Sequence, residues 1–197
     1  MYLKSILITL ISLVFAFAAL AQNGEQEIRT MLDERDAEIK ELLGPKGSSY
    51  TQEQREELKE IINGVIDFRS MAAHALDDTF NEISSEKRDK FVSNFATIVR
   101  DQSLNRLDIY RAEVTYNEID VDGDQAYVRT IAQLENVRTP VNYKMERQDG
   151  QWMITDMEID DVSTAQSYHR QFQNIIRQRG FDALFESVER RAARSST

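Results

Sequence analysis

Side chains able to do chemistry are few and scattered in this chain. His74 and His169 are its only histidines, there is no cysteine, and 34 acidic side chains face 24 basic ones. The lack of cysteine removes thiol nucleophiles, cysteine-based zinc sites and disulfides. Asp120, Asp122 and Asp124 alternate as calcium ligands do, but an EF-hand loop requires glycine at its sixth position and glutamate at its twelfth. Counted from Asp120, the glycine comes too early and Ile131 stands where the glutamate belongs, so the run predicts a hairpin turn. Gly44-Pro45-Lys46-Gly47-Ser48-Ser49 has the composition of a phosphate loop without its spacing and follows a helical pattern, so it reads as a connection. Asp160-Asp161 precede a helix start, where negative charge suits the macrodipole. His74 lies in an apolar helical stretch and reads as packed or half-exposed, and His169 points off the apolar face of its helix. No G-x-S-x-G, HExxH or G-x-G-x-x-G motif is present. The residues argue for neither an enzyme nor a metal or other cofactor.

The elements that must position these residues follow from hydrophobic periodicity. From Glu25 to Leu43, Ile28, Leu32, Ile39 and Leu42/Leu43 recur at helical spacing until Gly44-Pro45 stops them. Thr51-Gln52-Glu53-Gln54 is a capping box for a helix carrying Leu58, Ile61, Ile62, Val65 and Ile66. A short helical stretch follows with Phe68, Met71, Ala72, Ala75 and Leu76. Ser84 or Ser85 then caps a helix bearing Phe91, Val92, Phe95, Ile98 and Val99. Beyond Asp108 the period changes to two. Segments 111–121, 124–135, 139–148 and 151–160 read as strands, with Asp122-Gly123 and Asp149-Gly150 as hairpin signals. Strands joined this closely form an antiparallel meander, because parallel neighbours need long crossovers. Ser163-Thr164-Ala165-Gln166 is a second capping box, opening a helix with Tyr168, Phe172, Ile175 and Ile176. Gly180 ends it, and a last helix carries Leu184, Phe185 and Val188. The expected fold is α+β, with amphipathic helices packed on a curved four-stranded antiparallel sheet, a cystatin- or nuclear-transport-factor-like cone enclosing an apolar pocket.

The N-terminus reads as a secretory leader. Lys4 supplies a positive start, Ile6–Leu20 an apolar stretch shorter than a membrane span needs, and Ala19-Leu20-Ala21 a cleavage signal. Cleavage after Ala21 is expected to leave residues 22–197 as one domain beginning at Gln22. A lipid-anchored lipoprotein is excluded because it requires a cysteine at the cleavage site. A soluble periplasmic protein is the expectation. The acidic balance also makes nucleic acid an unsuitable partner. Charge is uneven, however. Arg170, Arg177, Arg179, Arg190, Arg191 and Arg194 against Asp182, Glu186 and Glu189 make residues 166–197 locally basic.

Several local sequences together resemble the MlaC family, the periplasmic phospholipid carriers also called toluene-tolerance auxiliary components of an ABC transport system. Ile66-Asp67-Phe68, Met71-Ala72, Ala75-Leu76 and Phe80, then Phe91 and Phe95, resemble one block of that family. Tyr143, Gly150-Gln151-Trp152 and Asp156 are similar to its strands. Val162-Ser163, Tyr168, Gln171-Phe172 and Gly180 are similar to its following helix. The resemblance spans about residues 27–193. Asp77, Phe80, Asp161 and His169 depart from the pattern, standing where Gly, Trp, Gly and Arg are usual. The last departure removes a fixed positive charge.

The resemblance implies a non-enzymatic carrier that shuttles phospholipid between the outer membrane and an inner-membrane MCE-domain ABC transporter, maintaining outer-membrane lipid asymmetry. Its implied partners are that transporter and an outer-membrane lipoprotein–porin complex. On this reading Phe68, Met71, Ala72, Phe91, Phe95, Ile98 and Phe172 are lipid-pocket candidates from the helices. Ala126, Val128, Thr130, Ala132 and Tyr143 are those from the sheet, where small residues leave unfilled space. Arg190, Arg191 and Arg194 are candidate partner contacts. Weak headgroup selectivity is expected, because no Arg or Lys cluster marks a phosphate clamp. Two other readings remain open at this level: an enzyme on the same cone with an Asp or His base, and an interaction module with a filled core.

Overall fold

The computed structural model describes the backbone of residues 2–45, 47–104 and 107–195. Side chains are described within those spans from residue 23 onward, apart from 103, 104 and 108. The expected leader and its cleavage point therefore lie outside the described side chains. Helix α1 (Tyr2–Leu43) stops where the sequence predicts. Gly44 there takes φ +54 and its N–H reaches the Lys40 carbonyl at 3.2 Å, a left-handed exit that suits a residue without Cβ. Helix α2 (Gln52–Asn63) is opened by the predicted capping box. The Gln54 N–H donates to Thr51 Oγ1 at 3.2 Å and the Thr51 N–H to Gln54 Oε1 at 3.0 Å, an arrangement worth about 1 kcal/mol. Helices α3 (Phe68–Leu76), α4 (Thr79–Glu82) and α5 (Ser85–Leu104) follow. Ser84 is the residue that caps α5, its hydroxyl accepting from the Lys87 N–H at 3.3 Å.

Residues Leu107–Arg111 form a 3-10 turn, so the predicted first strand begins later than its pattern suggested, as β1 (Glu113–Asp122). Strands β2 (Gln125–Leu134), β3 (Val137–Gln148) and β4 (Gln151–Ile159) continue an antiparallel meander in sequence order. Asp122 pairs with Gln125 around Gly123-Asp124, and Gln148 with Gln151 around Asp149-Gly150, so both predicted hairpins form. Irregularities between Tyr116 and Glu118 and between Lys144 and Met145 bend and twist the sheet, as bulges do. The sheet has five strands rather than the expected four, because Val162–Ser163 returns as β5. The turn before it is made by Asp160 and Asp161 at φ +50 and +60. Aspartate tolerates this left-handed geometry, and two such residues build the tight turn of a hairpin. The acidic pair is thus a turn device. Helices α6 (Thr164–Arg179) and α7 (Phe181–Ser195) complete the chain around Gly180.

Among the described residues the buried apolar side chains form three clusters. One joins α3 to α7, with Phe91 and Phe95 of α5 meeting Tyr168 and Phe172 of α6. Phe95 stands edge-on to Tyr168 at 4.9 Å, and Phe91 edge-on to Phe172 at 5.7 Å, the geometry that ring quadrupoles favour. The second joins α1 to one face of the sheet, and the third packs the end of α1 on α2 and Leu107.

Strand β4 ties the helices to the sheet. The Ile154 N–H donates to the Val65 carbonyl at 2.7 Å, and the Asp67 N–H to the Ile154 carbonyl at 2.9 Å. Asp67 then caps α3, accepting from the Arg69 and Ser70 N–H groups, and accepts from Gln148 Nε2 at 2.6 Å. Burial alone would raise this carboxyl. The hydrogen bonds from Ser70, Gln148 and Arg69 outweigh it and hold the group below the usual carboxylate range. Two residues on in β4, Asp156 is only 5% exposed. It accepts from Ser163 Oγ at 2.6 Å and from the Ala165 N–H at 2.9 Å. Ser163 in turn caps α6 through the Gln166 N–H at 2.9 Å. The second capping box therefore forms by half, since the Gln166 side-chain oxygen faces His74 Nε2 at 3.2 Å instead.

Replacing Asp156 with alanine strands the buried Ala165 N–H and the part-buried Ser163 hydroxyl at once, a loss of about 1–3 kcal/mol for a buried group left without its partner. Asp156→Ala should lower the urea midpoint with little change in slope, and Asp156→Asn should recover part of the loss. Equal midpoints for wild type and Asp156→Ala would refute this role.

Candidate functional site

Helix α1 crosses one face of the sheet at close range. A Cβ on Gly24 would stand 3.0 Å from Val121 Cγ1 and 3.4 Å from the Trp152 ring, so glycine seats the helix at a distance that a larger residue would reach only by pushing these side chains aside. One turn on, Glu27 accepts from Arg147 at 2.6 Å and from Trp152 Nε1 at 3.2 Å, while the Arg147 guanidinium lies 4.7 Å from the Trp152 ring centre. Ile28 is fully buried in the cluster that contains Val128, Met145 and Ile154. By Ile39 and Leu43 the helix has left the sheet and packs on α2.

Register defines what α1 covers and what it leaves. Directly opposed residues share a face. The row Val121, Ala126, Met145, Ile154 lies under α1 or its neighbours and belongs to that second cluster. Toward the other end of the strands come the rows Tyr116, Thr130, Val141, Ile159, Val162, then Val114, Ala132, Thr139, then Leu134, Val137. No residue in these rows is charged. Most are partly exposed, and exposure reaches 40% at Ile159, 55% at Val162 and 64% at Val137. The Thr130 hydroxyl is spent on the Val141 carbonyl, which removes its polarity from the face. This partly open, uncharged half of a sheet is the candidate site.

A tyrosine cluster marks the border with α1. Tyr116 lies against α1, with the Arg29 guanidinium 4.7 Å from its ring centre. Burial, the hydrogen bond to Asp33 and the Asp33 charge together push its phenol far above the ordinary range. Burial, with smaller contributions from Tyr110 and Asp36, pushes the Tyr143 phenol up to about 12. Both hydroxyls stay protonated under ordinary conditions, so this border can donate hydrogen bonds but carries no phenolate.

The sheet candidates therefore divide. Ala132 lies in the open rows, Thr130 is buried within them, Tyr143 stands at their border, and Ala126 and Val128 lie in the cluster under α1. The helical candidates Phe68, Met71, Ala72, Phe91, Phe95, Ile98 and Phe172 are gathered in the first cluster, packed on one another. Reading from sequence overlooked Val114, Tyr116, Val141, Leu134, Val137, Ile159 and Val162. Alternation in β1 to β4 was the available signal for all of these but Val162, which joins the face only through the unexpected β5. Arg190, Arg191 and Arg194 are exposed on α7, with Arg190 3.5 Å from Glu186. Shallow surface grooves on the helical side have charged walls, one spanned by Lys87 and Asp182 at 2.7 Å.

The Tyr143 shift has a definite sign. Its phenol titrates near 10 in an unfolded chain and near 12 when folded. The stability it contributes is whole below pH of about 10 and is lost as pH rises through about 12. Tyr143→Phe should therefore soften the alkaline fall in melting temperature over that window. An identical alkaline profile in the two proteins would count against the shift.

Comparison with known proteins bears on the fold and the family. The fold matches the structure of a phospholipid-binding protein from Ralstonia solanacearum in complex with a phospholipid. The TM-score is 0.71 at 17% identity, over 87% of this chain and 98% of that one, a likeness of fold. No curated protein matches the chain. The sequence model of the family described as MlaC protein matches residues 20–190, and the chain accordingly belongs to the MlaC family.

Proposed function

We propose that this protein is a phospholipid carrier of the periplasm, with its acyl-chain seat on the open rows of the sheet. The observation that carries the reading is the run of uncharged, mostly part-exposed side chains that starts at Tyr116, against the edge of α1, and continues to Val162 and from Val114 to Thr139. A diacyl lipid exposes about thirty methylenes at roughly 0.8 kcal/mol each, so it crosses water only when most of that surface is covered. Family membership and the phospholipid bound by the Ralstonia protein support the same ligand class. In the fuller form of the proposal, the leader is cleaved after Ala21 and the mature chain begins at Gln22. The protein then passes lipid between an outer-membrane lipoprotein–porin complex and an inner-membrane MCE-domain ABC transporter, maintaining outer-membrane lipid asymmetry. Among the described residues no helix is long and apolar enough to cross a membrane. His74 and His169 bond to Gln166 and to a backbone carbonyl at the α3–α6 contact, so neither serves as a base on the open rows.

The decisive test is mass spectrometry of protein purified without detergent, comparing wild type with Ala132→Trp. A diacyl phospholipid should accompany the wild type and be depleted in the variant, because the indole occupies space otherwise taken by a tail. Melting temperatures measured after delipidation should differ little, and delipidation is needed because bound lipid stabilises the native state by mass action. A lipid-free wild type with Ala132→Trp destabilised by the roughly 1–3 kcal/mol typical of overpacking would mean a filled core.

Partner docking is assigned to the basic end of α7. Charge reversal of Arg190, Arg191 and Arg194 to Glu should weaken binding to an acidic partner at low salt, where such attraction is strongest, and leave lipid load unchanged. Unaltered affinity at low salt would return these side chains to plain solvated surface.

A further inference from the structure

The only two histidines of the chain, 95 positions apart, meet at the contact between α3 and α6. Their ring centres are 5.6 Å apart with the planes tilted by 43°. Each ring has one nitrogen engaged by an oxygen of the protein. His169 Nδ1 lies 3.0 Å from the His74 carbonyl, and a carbonyl can only accept, so the proton is on Nδ1 and the Nε2 lone pair is free. His74 Nε2 lies 3.2 Å from Gln166 Oε1, which places its proton on Nε2 and leaves the Nδ1 lone pair. A ring held by a backbone carbonyl or side-chain oxygen on one nitrogen, with the other nitrogen free, is the state in which histidine ligates metals.

We propose that His74 and His169 form a two-histidine site for a borderline divalent transition ion, Cu2+ or Zn2+, which clips α3 to α6. Metal–nitrogen bonds of about 2.0–2.1 Å put each ring centre roughly 3.2 Å from the ion, so two rings sharing one ion stand about 5–6 Å apart. The observed spacing lies in that range. Imidazole suits copper and zinc rather than the hard ions magnesium and calcium. His74 belongs to the last turn of α3, and His169 caps that helix end beside Gln173, whose Nε2 donates to the Leu76 carbonyl at 2.8 Å. The ion would therefore sit at the C-terminal end of α3, where the helix dipole favours positive charge. Among the described residues no third histidine, cysteine or carboxylate joins the pair, so water fills the remaining positions. The site is independent of the lipid seat on the sheet.

The test uses full-length protein without a histidine tag, cleared of metal with EDTA and titrated with CuCl2 and ZnCl2 by calorimetry and thermal unfolding. One ion should bind per chain at micromolar concentration and raise the melting temperature by several degrees. His74→Gln and His169→Gln, polar replacements at an exposed and a partly exposed position, should each lose at least about tenfold in affinity. Both should keep their co-purified lipid and their circular dichroism. The paramagnetic resonance spectrum of the copper form should carry hyperfine splitting from two imidazole nitrogens. Absence of binding at about millimolar metal, binding unchanged in both variants, or a single nitrogen in the spectrum would each overturn the site.

Discussion

Helices and sheet are joined through a few groups of β4 and its hairpin, and the rest of the architecture depends on that junction. The backbone of Ile154 bonds to Val65 and Asp67, Gln148 bonds to the Asp67 carboxylate, and Asp156 bonds to Ser163 and Ala165. Asp67 and Asp156 act alike. Each carboxylate accepts backbone N–H bonds at the start of a helix, where the unsatisfied amides and the macrodipole both favour negative charge. The first tethers α3 and the second α6, two of the helices that pack with α5 in the helical cluster. An anchor of this kind uses direction as well as energy, because charge-assisted hydrogen bonds are short and orienting. The helical cluster is therefore held against the sheet without filling the sheet's whole face.

The open half of that face follows from size. An α-helix with its side chains is about 10–12 Å across, whereas a ten-residue strand extends over roughly 33 Å. Helix α1 crosses such strands once, seated low at Gly24 and fastened by Glu27 to Arg147 and Trp152, so strand length remains beyond its edge. In most proteins a surface left over in this way would be polar. Here the remaining rows hold only aliphatic side chains, alanine, tyrosine and threonine, and the buried threonine has its hydroxyl internally bonded. Water is a poor partner for that surface and hydrocarbon a good one.

The two faces of the sheet have diverged accordingly. On the opposite face Tyr127 donates to Glu158 at 2.5 Å, and Lys144 reaches Glu158 at 3.0 Å and Asp156 at 3.5 Å. The Tyr127 bond and the Lys144 charge hold the Glu158 carboxyl below its ordinary range, against the smaller opposing effect of burial. The Glu158 bond raises Lys144 in turn. Such half-exposed pairs contribute little individually. They lie on the side of the strands away from the apolar rows. An antiparallel sheet permits that separation because successive side chains alternate between faces.

Local information was enough for much of this. The helix bearing Ile28 to Leu43, the Thr51 capping box, the Asp122-Gly123 and Asp149-Gly150 hairpins, the meander order and the Gly180 break are each set by residues within a few positions of one another, and each could be read from the chain. Family resemblance was legible for the same reason, in short blocks of fixed spacing. What could not be read depends on residues distant in sequence. The fifth strand rests on Asp160 and Asp161 adopting a backbone that aspartate tolerates but does not announce. Asp156 as the anchor of α6, and Gln166 turned toward His74 instead of completing its own box, require β4, α3 and α6 to be assembled first. The division of the candidate pocket was also hidden. Alternation in a strand tells which residues share a face, but only the docked position of α1 decides which part of that face is covered. Phe91, Phe95 and Phe172 have the composition of a lipid pocket, and their interlocking edge-to-face packing, a matter of tertiary geometry alone, makes them a helical core.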